Sequence, residues 1–251
     1  MSAINRHYRL VLMVSALVAG AGGAQAAEQS MWDIAFGATA TSNYISRGQT
    51  QTLNDPAIQG FSEITGGQFY FGSFISNANF GTPDTEIDLS VGWRPTVGNF
   101  SFDFGAVEYI YVTDSEFSYP ELYGFAKYKV NDTFNVGTKL YYAPDYSQLG
   151  FSALYAEGNT TVSLPNNFSF SGALGVQTFA TTGRPDYLTW NAGFAYTWRS
   201  LTFDVRYWDT DLSTGECGIT NVISSACDAR VVASVSIATS ASAIRQLTPG
   251  R

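Results

Sequence analysis

Histidine is almost missing from this chain of 251 residues: the only one is His7. It lies in an N-terminal stretch that reads as an export signal, so the exported chain has none. That excludes a Ser-His-Asp triad and a histidine-based zinc site together. Basic residues are also sparse, with 13 Lys and Arg against 21 Asp and Glu. A formal charge of −8 offers nothing to a nucleic-acid backbone, which calls for a basic patch. Long hydrophobic runs are absent downstream of the signal, although 45% of the residues are hydrophobic types. A spanning helix needs roughly 20 consecutive apolar residues, so none is expected. Cysteine is limited to Cys217 and Cys227.

The signal has three parts. Arg6 and Arg9 are basic, Leu10 to Val18 is apolar, and Ala24-Gln25-Ala26 is a small-residue cleavage site. Cleavage at 1–26 leaves a single domain beginning near Ala27. It removes two basic residues and no acidic one, taking the charge from −8 to −10. An exported chain meets an oxidising compartment, so Cys217 and Cys227 are expected to close a small structural disulfide loop. A redox pair would favour the closer Cys-x-x-Cys spacing.

What is present is alternation. Aromatics make up 15% of the chain, and apolar residues recur at every second position. In 85–93, Ile87, Leu89, Val91 and Trp93 face one way and Glu86, Asp88, Ser90 and Gly92 the other. Strands of this kind are expected at 31–41, 57–64, 68–76, 85–93, 100–112 and 121–130. Six more follow at 133–142, 149–164, 168–178, 188–198, 201–209 and 228–237. In 100–112 the apolar parity shifts from Phe100, Phe102 and Phe104 to Val107, Tyr109 and Tyr111, predicting a β-bulge at Gly105-Ala106.

The connections alternate short and long, with the stretch 77–85 among the long ones. A barrel crossing an outer membrane uses short periplasmic turns and longer outer loops. The expected fold is therefore all-β: a transmembrane antiparallel up-and-down β-barrel of about 12 strands, 10 to 14 being the range, over residues 27–237. Trp32, Trp93, Tyr142, Tyr187, Trp198 and Trp208 sit near strand ends, where interfacial girdles form. The surroundings expected are outer-membrane lipid of a Gram-negative bacterium and the barrel-assembly machinery.

If the apolar faces meet lipid, the opposite faces line the interior. They carry Asp88, Asp103, Glu108, Lys127, Lys129, Lys139, Asp204 and Arg206. A charge facing lipid near the midplane would cost roughly 2–4 kcal/mol. These charges either pair and plug a narrow barrel or border an aqueous pore for small polar solutes or ions. No nucleophile motif is visible, no cofactor is expected, and the oligomeric state is open. The alternative to a channel is a closed structural or adhesive barrel acting through its outer loops.

The segment Tyr44-Ile45-Ser46-Arg47-Gly48, followed by Asn54-Asp55-Pro56-Ala57, resembles the TorF-type family of small outer-membrane porins, as does Cys227-Asp228-Ala229-Arg230 at the last strand. The resemblance covers the mature chain to about Ile237 and implies a porin-like barrel with no defined substrate. Gly48 permits a bend and Asp55-Pro56 supports a turn. Arg47 either braces that loop or points to the lumen. Outer-membrane barrels usually end on a strand with a terminal aromatic. Here 238–251 continues instead as a Ser/Ala-containing tail, expected to be unstructured.

Overall fold

The computed structural model describes residues 32–247. The signal at 1–26 and the last residues, 248–251, lie outside the described residues.

Alternating sequence becomes twelve long strands. They are β1 (Trp32–Thr41), β2 (Ala57–Gly66), β3 (Phe69–Asn79), β4 (Pro83–Trp93), β5 (Phe100–Tyr111) and β6 (Tyr119–Lys129). After them come β7 (Phe134–Ala143), β8 (Ala153–Ser163), β9 (Phe168–Phe179), β10 (Tyr187–Trp198), β11 (Leu201–Thr210) and β12 (Arg230–Ser240). Each pairs antiparallel with its sequence neighbours, and β12 returns to pair with β1 from Ala35↔Ser240 to Thr41↔Ser234. The sheet therefore closes with no free edge, as a backbone surrounded by hydrocarbon requires.

Period two then sorts side chains between the outer surface and the lumen. Ile58, Val91, Leu174, Val205 and Val231 stand exposed on the outer face. Trp32, Trp93 and Trp198 also face outward, at the short-turn end. Tight turns rest on positive-φ residues: Gly67 between β2 and β3, Asn166 and Asn167 between β8 and β9, and Arg199 between β10 and β11. Between β6 and β7, the Asn131 carboxamide oxygen accepts from the amides of Thr133 and Phe134 at 2.9 and 2.8 Å.

The observed fold departs from the sequence reading in four places. The 77–85 connection is not long: β3 and β4 pair through Asn79↔Pro83, leaving only 80–82, with Gly81 at φ +100°. Pro83 is tolerated because it is the first residue of its strand. The bulge at Gly105-Ala106 is also absent. The β4–β5 register runs unbroken from Glu86↔Tyr111 to Trp93↔Phe104. Val107, Tyr109 and Tyr111 consequently face the lumen rather than the outer surface. Tyr187 and Trp208 likewise turn inward instead of joining a girdle. Finally, the stretch from Ala238 is strand to Ser240 and then a helix, α2 (Ala241–Leu247). The strand continues because β1 still offers partners there, and the Asp33 carboxylate accepts from the backbone N and hydroxyl of Ser242 at 3.0 and 2.6 Å.

A short helix, α1 (Thr214–Thr220), forms inside the last long loop. Ser213 and Glu216 make a capping box, and hydrogen bonds from Ser213 hold the Glu216 carboxyl below its ordinary pKa. The Cys217–Cys227 disulfide is formed, with Cα atoms 5.9 Å apart. Both cysteines are buried with Ala226.

Candidate functional site

The lumen has two halves of different chemistry. At the long-loop end it is filled with rings. Tyr111, Tyr119, Phe179 and Tyr187 form a buried cluster with Ala143 and Ala153, and Phe80, Tyr109, Tyr146 and Phe151 pack against it. At the short-turn end lies a polar cavity of about 650 Å³. Its walls include Lys127, Asn135, Lys139, Asn159, Thr161, Ser169, Asp204 and Arg206.

Between the halves sits the first loop, residues 42–56, which folds into the barrel rather than outward. Ile45–Ser46 and Gln49–Thr50 form a miniature hairpin. Gly48 stands at its tip with φ +83°, and a Cβ there would collide with Thr189 and Thr210 on the wall. A polar network fixes the loop's base. The Asn43 carboxamide oxygen accepts from the Thr50 hydroxyl at 2.6 Å, and the Asp55 carbonyl accepts from the Thr52 hydroxyl at 2.6 Å. Asp55 thus contributes through its backbone, while the Pro56 carbonyl accepts from Asn77 at 3.2 Å.

Arg47 extends from this hairpin to the far wall. Its guanidinium pairs with Glu121 on β6, one contact measuring 2.9 Å, and also donates to Gln177 on β9 at 3.3 Å. It lies 4.9 Å from the ring centre of Tyr141 and 5.2 Å from that of Tyr155. Its own carbonyl accepts from the Tyr187 hydroxyl at 3.1 Å. Burial opposes the guanidinium's charge, but the Glu121 carboxylate holds its pKa well above the ordinary value. Arg47 therefore both braces the loop and occupies the lumen.

The cysteine loop packs over the hairpin from the other side. The Thr50 amide donates to the Ala226 carbonyl at 3.1 Å, and the Asn221 side chain donates to the Thr50 carbonyl at 3.3 Å. Arg230 contacts Asn54 and donates to the Ser225 carbonyl. Two outer segments that are remote in sequence are thereby joined into one cap.

Most of the lumen charges anticipated from alternation are brought together. Asp103 accepts from Arg94 at 2.9 Å, and Arg94 also grips Glu63 at 2.6 Å while stacking 3.7 Å from the Tyr70 ring centre. Lys139 pairs with Glu157 at 2.9 Å. Arg206 pairs with Asp204 at 2.9 Å and donates to Asn191 and Ser171 at 2.7 and 2.8 Å. Lys127 lines the cavity, and no ion pair is formed by it among the described residues. Asp88 faces a side cavity beneath the first loop. Lys129 lies at the turn rim, 55% exposed, paired with Asp132.

Glu108 is the exception. It pairs with Leu89 and Pro120 in the unbroken register and so belongs to the outer face, because the bulge that would have turned it inward does not form. Sequence reasoning missed Glu63, Arg94, Glu121 and Glu157. Parity alone puts Glu63, Glu121 and Glu157 on the lumen face. Arg94 lies just beyond its strand, outside any parity rule.

A closed antiparallel barrel with an even number of strands and an apolar outer face is the architecture of transmembrane β-barrels. The chain belongs to the Gcw_chp family, described as a bacterial protein of unknown function, whose pattern matches residues 25–239. No match is found among curated proteins. Among solved structures, the KdgM porin is similar in fold, with TM-score 0.55 and 11% identity over 82% of this chain and 98% of that one. The KdgM porin in complex with disordered oligogalacturonate gives 0.56 and 10% over the same shares of the two chains.

Proposed function

We propose that this protein is a porin-like channel of the outer membrane of a Gram-negative bacterium, allowing passive diffusion of small polar solutes or ions. The observation that carries this reading is the polar cavity of about 650 Å³ running from the short-turn rim to the first loop. A barrel that served only as a scaffold would gain by filling that volume with apolar side chains. Walls of Asn, Ser, Thr and paired charges instead replace the hydration of a passing solute. The TorF-type resemblance supports the same class, and the solved KdgM complex with oligogalacturonate supports a polar cargo. Short turns are assigned to the periplasm and long loops to the exterior.

Planar-bilayer recording of purified, heat-modifiable protein tests the reading. Discrete conductance steps are expected, larger in Arg47→Ala than in the parent. Silence from both folded proteins would overturn it.

The ring-filled outer half favours a second reading, a closed barrel that works through its outer surface. Deleting residues 212–226 would then abolish surface binding and leave permeability unchanged.

A further inference from the structure

The lumen carboxylates separate by partner. Glu63 and Asp103 share Arg94, Glu157 holds Lys139, Asp204 holds Arg206 and Glu121 holds Arg47. Glu86 accepts from the Tyr44 hydroxyl at 2.5 Å. Asp88 has no such donor among the described residues: its Oδ1 is buried and accepts no hydrogen bond from them. A shielded carboxylate oxygen without a donor is unfavourable unless something supplies one.

The surroundings say what the donor is. Asp88 pairs across the sheet with Phe74 on one side and Tyr109 on the other, so two rings flank it on the lumen face. It lines a cavity of about 180 Å³ with Tyr44, Ser46 and Ser90. Glu63, Arg94 and Asp103 line both this cavity and the larger one, which makes the site reachable from the short-turn end. The guanidinium of Arg94 is already engaged by Glu63 and Asp103, and Lys127 lines only the larger cavity.

We propose that Asp88 anchors a binding site for a primary ammonium group on a small solute, with the carboxylate as counter-ion and the rings of Phe74 and Tyr109 against the cation. This deepens the channel reading by naming a substrate class, and it rests on that reading. An ammonium offers three N–H donors and a compact charge that aromatic faces attract. A calcium ion would instead need six to eight oxygen ligands. The described residues hold no group of three acidic, histidine or cysteine side chains that could chelate one.

The test is equilibrium titration of the full-length folded barrel in detergent with butylammonium, using butanol and butyrate as neutral and anionic controls. Butylammonium should saturate and the controls should not. Asp88→Asn should weaken it by about tenfold or more. Phe74→Leu, which keeps the charge and removes one ring, should weaken it by roughly threefold. Comparable binding of butanol, an unchanged affinity in Asp88→Asn, or no saturable binding would each overturn the proposal. The parent protein with its three probes decides the matter even if a variant fails to fold. Titration needs no conduction, so the two readings fail separately. A conducting barrel without ammonium affinity sinks this proposal alone, whereas a binding barrel that never conducts sinks the channel.

Discussion

Arg47 and Glu121, 74 positions apart in sequence, meet inside the barrel, the first carried in by a loop and the second fixed to the opposite wall. Their pairing holds the first loop across the lumen. Arg47→Ala should raise single-channel conductance, because the bar is withdrawn. It should also lower unfolding stability by about 3–5 kcal/mol, since a buried Glu121 is left without its counter-charge. Adding Glu121→Gln should restore part of the stability and none of the closure. Conductance and urea midpoints of the single and double variants check both statements.

Gly48→Ala probes the same loop sterically. At φ +83° a side chain is strained, and this one would strike Thr189 and Thr210. The loop should leave its seat at a cost of about 1–3 kcal/mol. The conductance of the variant should resemble that of Arg47→Ala. A fully closed Gly48→Ala channel would show that the hairpin tip does not set the constriction.

The disulfide acts on the hairpin through Ala226 and Asn221. Closing a loop of this size contributes about 2–3 kcal/mol in the chain-entropy model. Reduction should expose residues 212–229 to protease and, by loosening the cap, increase conductance. Paired recordings with and without dithiothreitol measure this, and a Cys217→Ser/Cys227→Ser variant should be insensitive to the reagent.

Lys127 is a lumen cation for which no ion pair is formed among the described residues, so its replacement acts on the passing ion rather than on a partner. Lys127→Glu should shift the reversal potential in a salt gradient toward cations. Arg206→Gln should disturb Asp204, Asn191 and Ser171 as well, and so change stability along with selectivity.

Val205 and Arg206 are sequence neighbours on opposite faces. Val205 is 55% exposed on the outer surface, whereas Arg206 is buried in the lumen. Val205→Arg should cost roughly 2–4 kcal/mol in lipid vesicles, and Thr161→Arg on the lumen face far less. Equal costs would contradict the assignment of the outer face to lipid.

Much of this fold was readable because one rule governs most of it: apolar residues at every second position face outward. The rule located the twelve long strands and put Asp88, Asp103, Lys127, Lys139, Asp204 and Arg206 on the lumen face. It failed where the lumen itself is aromatic. Tyr109 and Tyr111 look like lipid-facing residues until the ring cluster around them is seen, and that false parity shift also misplaced Glu108. The 80–82 connection was read as long because polar Asn77, Asn79 and Thr85 sit in strands that outlast their apolar stretch. Arg47's contact with Glu121 left no local trace, since nothing in a loop's composition says which wall it will reach.

The seam between β1 and β12 carries one more consequence. Asp33 and Ser242 are 209 positions apart, yet they clasp the same rim of the barrel. Such a remote pairing forms only after all twelve strands are available, and loop closure of that length is slow to reward. The first and last strands of the barrel thus act as a zip fastener whose final tooth is β12. A truncated chain would keep its hairpins and remain an open ribbon.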